Sequence, residues 1–208
     1  LIQVSRLEET MQDGCGRTID YLRLSVTDRC NYRCQYCMPP EGVEKRTHED
    51  ILTLEELAEI AGAAVACGVK KIRLTGGEPL VRRGLVDLCR VLRAIPGVEE
   101  LCLTTNGSLL PKMAAPLRDA GLDRLNISLD TLRPDRFAAM TRLGTLRDAL
   151  DGIRAAEAAG FRDLKFDTVL IGGFNDDEIV DFVDLSRAHP WEMRFIGLMP
   201  MGACAGWD

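Results

Sequence analysis

The sequence predicts an α/β fold, a partial (β/α)6 TIM-like barrel, on three observations. Short β-rich runs alternate with helical patterns six times along the 208 residues, as is typical of parallel strands joined by crossover helices. No long low-complexity linker or clear repeat interrupts this alternation. Several of the predicted strands alternate apolar with polar residues, which indicates a sheet with one apolar and one polar face. The length suits one domain with a full core.

Six strands are predicted in chain order. They are "YLRLSVT" from position 21, "KIRLTG" from 71, "ELCLTT" from 100, "RLNISLD" from 124, "LKFDTVLI" from 164 and "MRFIGLM" from 193. In the first of them, Leu22 and Leu24 interleave with Arg23 and Ser25. Strands buried on both faces usually read as continuous apolar runs, so this alternation indicates a barrel with helices outside and a polar inner surface for a ligand. An open antiparallel sheet would show the same period, but the intervening helices favour parallel crossovers.

Helix starts are predicted where a threonine or asparagine precedes an acidic residue by three positions. The pairs are Thr53 with Glu56, Thr145 with Asp148 and Asn175 with Glu178. After the first pair, apolar residues recur at helical spacing up to a stop signal at Gly68. They are Leu54, Leu57, Ala61 and Ala64. This stripe predicts a helix face that packs in the core.

Composition and charge exclude several classes of protein. Lys plus Arg number 26 against 32 Asp plus Glu, so the net charge of -6 argues against a nucleic-acid or anionic-membrane partner. The opening "LIQVSRLEET" lacks the pattern of a signal peptide, and no stretch approaches the roughly 18 apolar residues of a spanning helix. We therefore expect a cytoplasmic protein whose eight cysteines are mostly reduced. Because the chain starts at Leu1 without an initiator methionine, a fragment is one expectation.

Three cysteines, Cys30, Cys34 and Cys37, fall within eight positions of "TDRCNYRCQYC". They follow the first predicted strand at its carboxyl end, where parallel barrels keep their chemistry. A structural zinc site takes four ligands, whereas a metal that does chemistry keeps one position open. Three thiols suit a [4Fe-4S] cluster whose fourth iron is free to bind a small molecule through amine and carboxylate. The alternative is a zinc site completed by Cys15 or Cys204.

The C-x-x-x-C-x-x-C spacing, with Tyr36 before the last thiol, resembles the signature of the radical S-adenosylmethionine (SAM) superfamily. A second match is "GGEPL" from position 76, just after the second predicted strand. In that family, a backbone edge at this point binds the methionine amino group of SAM. Glycine suits this role, because the absence of a side chain lets a ligand approach the backbone. The resemblance implies a barrel of the radical SAM type.

Within the superfamily, the chain resembles the GTP 3',8-cyclase family of molybdenum cofactor biosynthesis. The matching segments are "LRLSVTDRCNYRCQYCMP", "KKIRLTGGEPLVRR", "LTTNG", "LNISLD", "GFNDDEI" and "MRFIGLMPMG", in the family's order and spacing. The resemblance implies reductive cleavage of SAM at a [4Fe-4S] cluster. The 5'-deoxyadenosyl radical so formed would initiate cyclisation of GTP to 3',8-cyclo-7,8-dihydro-GTP.

The resemblance also implies roles for individual residues. Cys30, Cys34 and Cys37 would hold the cluster; Tyr36, Gly77, Ser128 and Met199 would contact SAM; and Arg23, Arg73, Thr104 and Lys165 would hold GTP. Strand alternation independently places three of these cations on the polar inner face, where they would suit a triphosphate. Each could instead pair with a carboxylate such as Asp130 or Asp167. By its pattern alone, Met199 would be a core residue.

The chain also departs from the family. The resemblance covers a radical SAM core domain over residues 1–208, with the cluster loop at 28–40, but family members continue into a C-terminal portion with a second [4Fe-4S] cluster. That portion is absent from this chain, whose five other cysteines are scattered: Cys15, Cys67, Cys89, Cys102 and Cys204. Asp167 stands where the family usually has asparagine, and Gly197 where it usually has glutamate. Both changes are predicted to touch the pocket lining.

The resemblance implies GTP as substrate and a reductant protein such as flavodoxin or ferredoxin as partner, and it is compatible with a homodimer. Two other interpretations stay open. One is a radical SAM enzyme that acts on a peptide or another substrate. The other is a non-catalytic paralogue or a zinc-binding structural protein, which would be colourless and free of iron.

Overall fold

The computed structural model describes residues 11–44 and 50–199, and its six parallel strands form one sheet in sequence order. The strands are β1 (Tyr21–Ser25), β2 (Lys71–Thr75), β3 (Glu100–Thr105), β4 (Arg124–Ser128), β5 (Lys165–Leu170) and β6 (Glu192–Gly197). The helices are α1 (Leu54–Ala66), α2 (Leu85–Arg93), α3 (Leu110–Asp119), α4 (Pro134–Thr141), α5 (Leu146–Ala158) and α6 (Ile179–Ala188). All six predicted strands and the partial barrel are confirmed. The antiparallel alternative is wrong, because every strand pairing is parallel.

The outer face of the sheet is apolar and carries the core. Leucines and isoleucines of successive strands, among them Ile72, Leu103 and Ile127, are fully buried in one apolar cluster that includes residues of the helices. Burial of one such side chain stabilises the fold by about 1.5–3 kcal/mol. The alternation that predicted this face is therefore confirmed. Within the described ranges, no helix has the length and apolar character needed to cross a membrane.

The strand register aligns polar side chains on the inner face. Arg23 on β1 lies opposite Arg73 on β2, and Asn126 on β4 lies opposite Lys165 on β5. Side chains alternate between the two faces of a strand, so residues in register with these point to the same side of the sheet. The inner surface of the barrel is thus built from polar residues contributed by every strand.

Two of the three predicted helix starts are confirmed. The Thr53 hydroxyl accepts a hydrogen bond from the Glu56 N–H at 3.1 Å, and the Glu56 carboxylate accepts one from the Thr53 N–H at 2.7 Å, which completes a capping box. Thr145 caps α5 by accepting from the Asp148 N–H at 3.2 Å. The helix α1 ends before Gly68, whose φ of 103° favours glycine.

The third predicted start, Asn175 with Glu178, is right in position but lacks the predicted capping hydrogen bonds. A 3-10 turn over Asp176–Glu178 follows Asn175 and leads into α6, which begins at Ile179, and neither predicted side chain caps it. The buried Asn175 amide instead donates to the carbonyls of Asp130 and Val169, at 2.7 and 2.8 Å. The Glu178 carboxylate is fully buried and accepts hydrogen bonds from loop residues after β4. Both side chains therefore bind neighbouring loops together, because buried polar groups need partners wherever the fold supplies them.

Candidate functional site

The three neighbouring cysteines lie on the cluster loop, residues 28–40, which leaves the carboxyl end of β1. The N–H groups of Arg33 and Gln35 donate to the carbonyls of Thr141 and Met140, both at 2.9 Å, so the loop is fixed to the end of α4. The Cys37 N–H donates to the Cys34 carbonyl at 2.9 Å, which closes a tight turn between these two cysteines.

The environment of the thiols varies along the loop. Cys30 and Cys34 are half-buried and Cys37 is exposed. Burial raises the pKa of the Cys30 thiol, against a hydrogen bond from the Tyr32 N–H to its sulfur at 3.3 Å. Burial also raises the pKa of Cys34, and the charges of Asp130 and of the other two cysteines add to that rise. Without metal these two thiols stay protonated, and a bound metal would displace their protons.

The donor set fits an iron–sulfur cluster. Thiolates are the soft ligands that such clusters take. Within residues 11–44 and 50–199, no three His, Cys, Asp or Glu side chains are grouped to hold a single metal ion. A [4Fe-4S] cluster does not require three ligands around one metal ion, because each thiolate would bind a different iron. Cys204, one proposed fourth zinc ligand, lies outside the described residues.

The segment after β2 pairs with the cluster loop through the backbone. The Gly77 N–H donates to the Thr27 carbonyl and the Glu78 N–H to the Arg29 carbonyl, both at 2.8 Å. A Cβ at position 77 would lie 2.4 Å from the Arg29 carbonyl oxygen. Glycine is therefore required by the close approach of the loop itself. Contact of Gly77 with SAM, which motivated the sequence prediction, stays a prediction.

Replacing Gly77 by alanine should displace the cluster loop, because the added methyl group would meet a backbone carbonyl that cannot rotate away. We expect the SAM cleavage that the family resemblance implies to fall by about tenfold to a hundredfold, as for an ångström-scale misplacement of reacting groups. Iron content and the rate of 5'-deoxyadenosine formation are the measurements. Gly172→Ala is the control, since nothing lies within 4 Å of a Cβ at that position. Equal rates for both variants would contradict this prediction.

The Glu78 side chain, which sequence reasoning missed, holds this end of the barrel together. Its buried carboxylate accepts hydrogen bonds from the Leu80 N–H at 3.0 Å, the Thr105 hydroxyl at 2.8 Å and the Asn106 N–H at 2.7 Å. Burial raises the pKa of Glu78, and the three donors oppose that rise. The only sequence signal was an acidic residue directly after two glycines. Glu78 fixes the ends of β2 and β3 relative to each other.

Tyr36 links the cluster loop to β4 and β5. Its hydroxyl donates to Asp130 Oδ2 at 2.9 Å, and the Val169 N–H donates to Asp130 Oδ1 at 2.8 Å. Burial raises the pKa of Asp130 to about 6. A small cavity of about 30 Å³ is lined by Cys34, Tyr36 and Ser128 among others. The structure thus brings together one predicted cluster ligand and two predicted SAM contacts.

Two residues near the end of β6 bear on the sequence predictions. Met199 is 60% exposed and lies two residues beyond the strand, so its assignment to the core by pattern is wrong. Gly197 has no atom within 4 Å of its Cβ position, and its contact with the pocket lining stays a prediction. Asp167, the other altered position, does line a cavity inside the barrel.

That cavity, of about 470 Å³, lies on the inner face of the sheet and is called here the cationic cavity. Its lining includes all four predicted GTP contacts: Arg23, Arg73, Thr104 and Lys165. Sequence reasoning missed three further cations that the structure adds: Lys71, Arg124 and Arg194. Among the described residues, six cationic side chains and two carboxylates line the cavity. Its electrostatic character therefore suits an anionic ligand.

Arg73 has the most constrained side chain in the cationic cavity. It is buried, and its guanidinium donates to Asn126 Oδ1 at 2.6 Å, to Thr104 Oγ1 at 3.3 Å and to the Tyr21 hydroxyl. All three partners are neutral oxygens. They fix the orientation of the guanidinium without neutralising its charge, which is the arrangement that favours binding of an anion.

Four of the other five cations of the cavity are paired with carboxylates: Lys71, Arg124, Lys165 and Arg194. Lys165 pairs with Glu192, the first residue of β6. Arg124 Nη1 lies 2.9 Å from Glu100 Oε1. Arg194 Nε lies 3.1 Å from Asp167 Oδ1. The alternative that these residues pair with a carboxylate holds for Lys165, but its partner is Glu192 and neither Asp130 nor Asp167. Asp130 accepts from Tyr36 and Val169, and Asp167 pairs with Arg194.

Comparison with known proteins adds to this geometry. Residues 24–186 match the family model described as the radical SAM superfamily. The chain is 57% identical to the GTP 3',8-cyclase of Peptoclostridium acidaminophilum over 93% of its own length and 59% of that protein. It is 58% identical to the GTP 3',8-cyclase of Geobacter sulfurreducens over 94% of its own length and 60% of that protein. The chain thus spans about three-fifths of these curated relatives.

Solved structures share the fold at low sequence identity. Methylornithine synthase superposes with a TM-score of 0.67 at 18% identity, covering 86% of this chain and 53% of that one. Coproporphyrinogen III oxidase from Escherichia coli, a radical SAM enzyme, superposes with a TM-score of 0.64 at 13% identity, covering 97% and 47%. At these identities the likeness shows the fold alone.

Proposed function

Because the chain belongs to the radical SAM superfamily, we propose that it cleaves SAM reductively and uses the 5'-deoxyadenosyl radical to start the cyclisation of GTP to 3',8-cyclo-7,8-dihydro-GTP. This lyase reaction serves molybdenum cofactor biosynthesis. The observation that carries the proposal is the cationic cavity inside the barrel, lined by all four predicted GTP contacts. High identity to two GTP 3',8-cyclases supports it further.

In this proposal, Cys30, Cys34 and Cys37 hold a [4Fe-4S] cluster and leave one iron open to SAM. The reduced cluster, when bound, supplies the electron that cleaves SAM to methionine and the 5'-deoxyadenosyl radical. The protein supplies position, because hydrogen bonds from the cluster loop to the end of α4 and to the segment after β2 hold the thiols at the mouth of the barrel.

We assign the SAM contacts to Tyr36, Gly77, Ser128 and Met199. Tyr36 and Ser128 line the same small cavity as Cys34, which supports their assignment. Gly77 lies against the backbone of the cluster loop, which supports its assignment. The assignment of Met199 rests on the sequence resemblance.

We assign the substrate contacts to Arg23, Arg73, Thr104 and Lys165. A cavity of about 470 Å³ is within the range of small-molecule sites, and fixed cations would hold the phosphates of GTP by charge-assisted hydrogen bonds. A substrate held by its phosphates has fewer accessible orientations, which limits reaction of the radical with anything but its target. A reductant protein such as flavodoxin or ferredoxin, a cytoplasmic location and a homodimer complete the proposal.

The test is anaerobic reconstitution with iron and sulfide, reduction, and incubation with SAM in the presence and absence of GTP. Mass spectrometry then quantifies 5'-deoxyadenosine and cyclised nucleotide. Formation of both products supports the cyclase. Formation of 5'-deoxyadenosine alone would limit this chain to SAM cleavage and open the search for another substrate. An iron-loaded protein that forms neither product would indicate a non-catalytic paralogue.

A further inference from the structure

We propose that Asp167 sets the affinity of the cationic cavity for phosphate groups, as an internal carboxylate that competes with the ligand for Arg194. The inference deepens the proposed function and rests on it for the identity of the nucleotide. In this view, the Asp167 carboxylate determines how strongly the cavity binds ligands that carry different numbers of phosphate charges.

The contact between these two side chains follows from strand register. Asp167 on β5 lies directly opposite Arg194 on β6, and both line the cationic cavity. The Asp167 side chain is 14% exposed and that of Arg194 is 44% exposed. The carboxylate is therefore shielded from solvent, while the guanidinium extends towards the open part of the cavity.

The ion pair lacks hydrogen-bond geometry. Arg194 Nε approaches Asp167 Oδ1 to 3.1 Å, yet this buried oxygen has no hydrogen-bond partner among the described residues. The pair is thus held by charge alone. Because a phosphate oxygen would offer Arg194 both charge and well-aligned hydrogen bonds, the guanidinium can turn to a ligand without losing a strong bond.

Asp167 is also connected to the guanidinium of Arg73 through the side chain of Asn126. The Asn126 amide donates through Nδ2 to Asp167 Oδ2 at 2.9 Å and accepts through Oδ1 from Arg73 Nη1 at 2.6 Å. One carboxylate is therefore paired with Arg194 and separated from Arg73 by a single side chain. Its negative charge lowers the positive potential that each presents to an anion, and this effect grows with the number of charges on the ligand.

The test measures binding rather than turnover. Equilibrium dialysis or calorimetry at low salt compares wild type with Asp167→Asn, using GTP, GDP, GMP and inorganic tripolyphosphate as ligands. Asparagine keeps the size of the side chain and removes its charge. We expect about tenfold tighter binding of tripolyphosphate and GTP and a smaller gain for GMP, with the gain shrinking as salt is added.

Asp163→Asn is the matched control, because it removes the same charge from an exposed position just before β5 that does not line the cavity. Asp167→Ser provides a second variant, and thermal melting reports whether each variant is folded. Unchanged or weaker tripolyphosphate binding by both folded Asp167 variants would overturn the inference, as would an equal gain for Asp163→Asn. If tripolyphosphate shows the expected gain but GTP binds neither protein, the role of Asp167 stands and the GTP assignment fails.

Discussion

Replacing Cys34 by alanine is expected to abolish SAM cleavage and to leave the barrel folded. Cys34 lines the small cavity that Tyr36 and Ser128 also line. Loss of a direct ligand should exceed the ten- to hundredfold effect that is typical when a residue supporting a ligand is changed, so we expect a drop of more than about a hundredfold. Iron content, the visible absorption of the reconstituted protein and 5'-deoxyadenosine formation are the measurements.

Cys15→Ala is the control for this experiment, because Cys15 is an exposed free thiol outside the cluster loop. It should retain wild-type iron content and cleavage. Far-ultraviolet circular dichroism should be the same for wild type and both variants, since the core consists of the apolar face of the sheet and its helices. Cleavage retained by Cys34→Ala would reject the cluster assignment.

Replacing Arg73 by methionine is expected to weaken binding of GTP and of tripolyphosphate by about ten- to a hundredfold, the effect of losing one or two hydrogen bonds to a charged group. The three hydrogen-bond partners of Arg73 are neutral oxygens, so none of them neutralises its charge by direct pairing. Methionine keeps much of the length and apolar stem of the side chain. Calorimetric titration of the purified protein with each ligand is the measurement.

Arg90→Met serves as the control, since Arg90 lies on the exposed face of α2 and pairs with Asp87 there. It removes one positive charge without touching the cavity. SAM cleavage in the absence of GTP should be similar in wild type and Arg73→Met, because Arg73 is predicted to hold substrate rather than cluster. Unchanged nucleotide affinity in Arg73→Met would exclude this residue from the phosphate site.

Periodicity in the sequence was enough to predict the strands and the polar inner face. Alternation depends only on neighbours along the chain, so β1 to β6 and the inward position of Arg73 could be predicted from local pattern. The same rule would have found Arg194, which shares its strand face with Asp167 through direct register.

Other features depend on partners that are remote in the sequence. Glu78 and Asn175 are buried only because loops from other strands supply the groups that they bind. Buried polar residues of this kind do not recur at regular intervals in the sequence. The pattern that resembled a helix cap at Asn175 involves residues three positions apart, whereas Asn175 and Glu178 bind residues that are more than 40 positions away. The unpaired charge of Arg73 and the weak Asp167–Arg194 pair likewise arise only once the barrel has folded.

The attachment of the cluster loop also affects what happens to the protein when it is exposed to oxygen. The loop is attached to α4, to the segment after β2 and, through Tyr36, to Asp130, and none of these attachments involves a metal. Loss of the cluster to oxygen would therefore leave a folded scaffold with its three thiols still in place. We therefore expect the folded chain to take up iron and sulfide again after such a loss, without new synthesis of the protein.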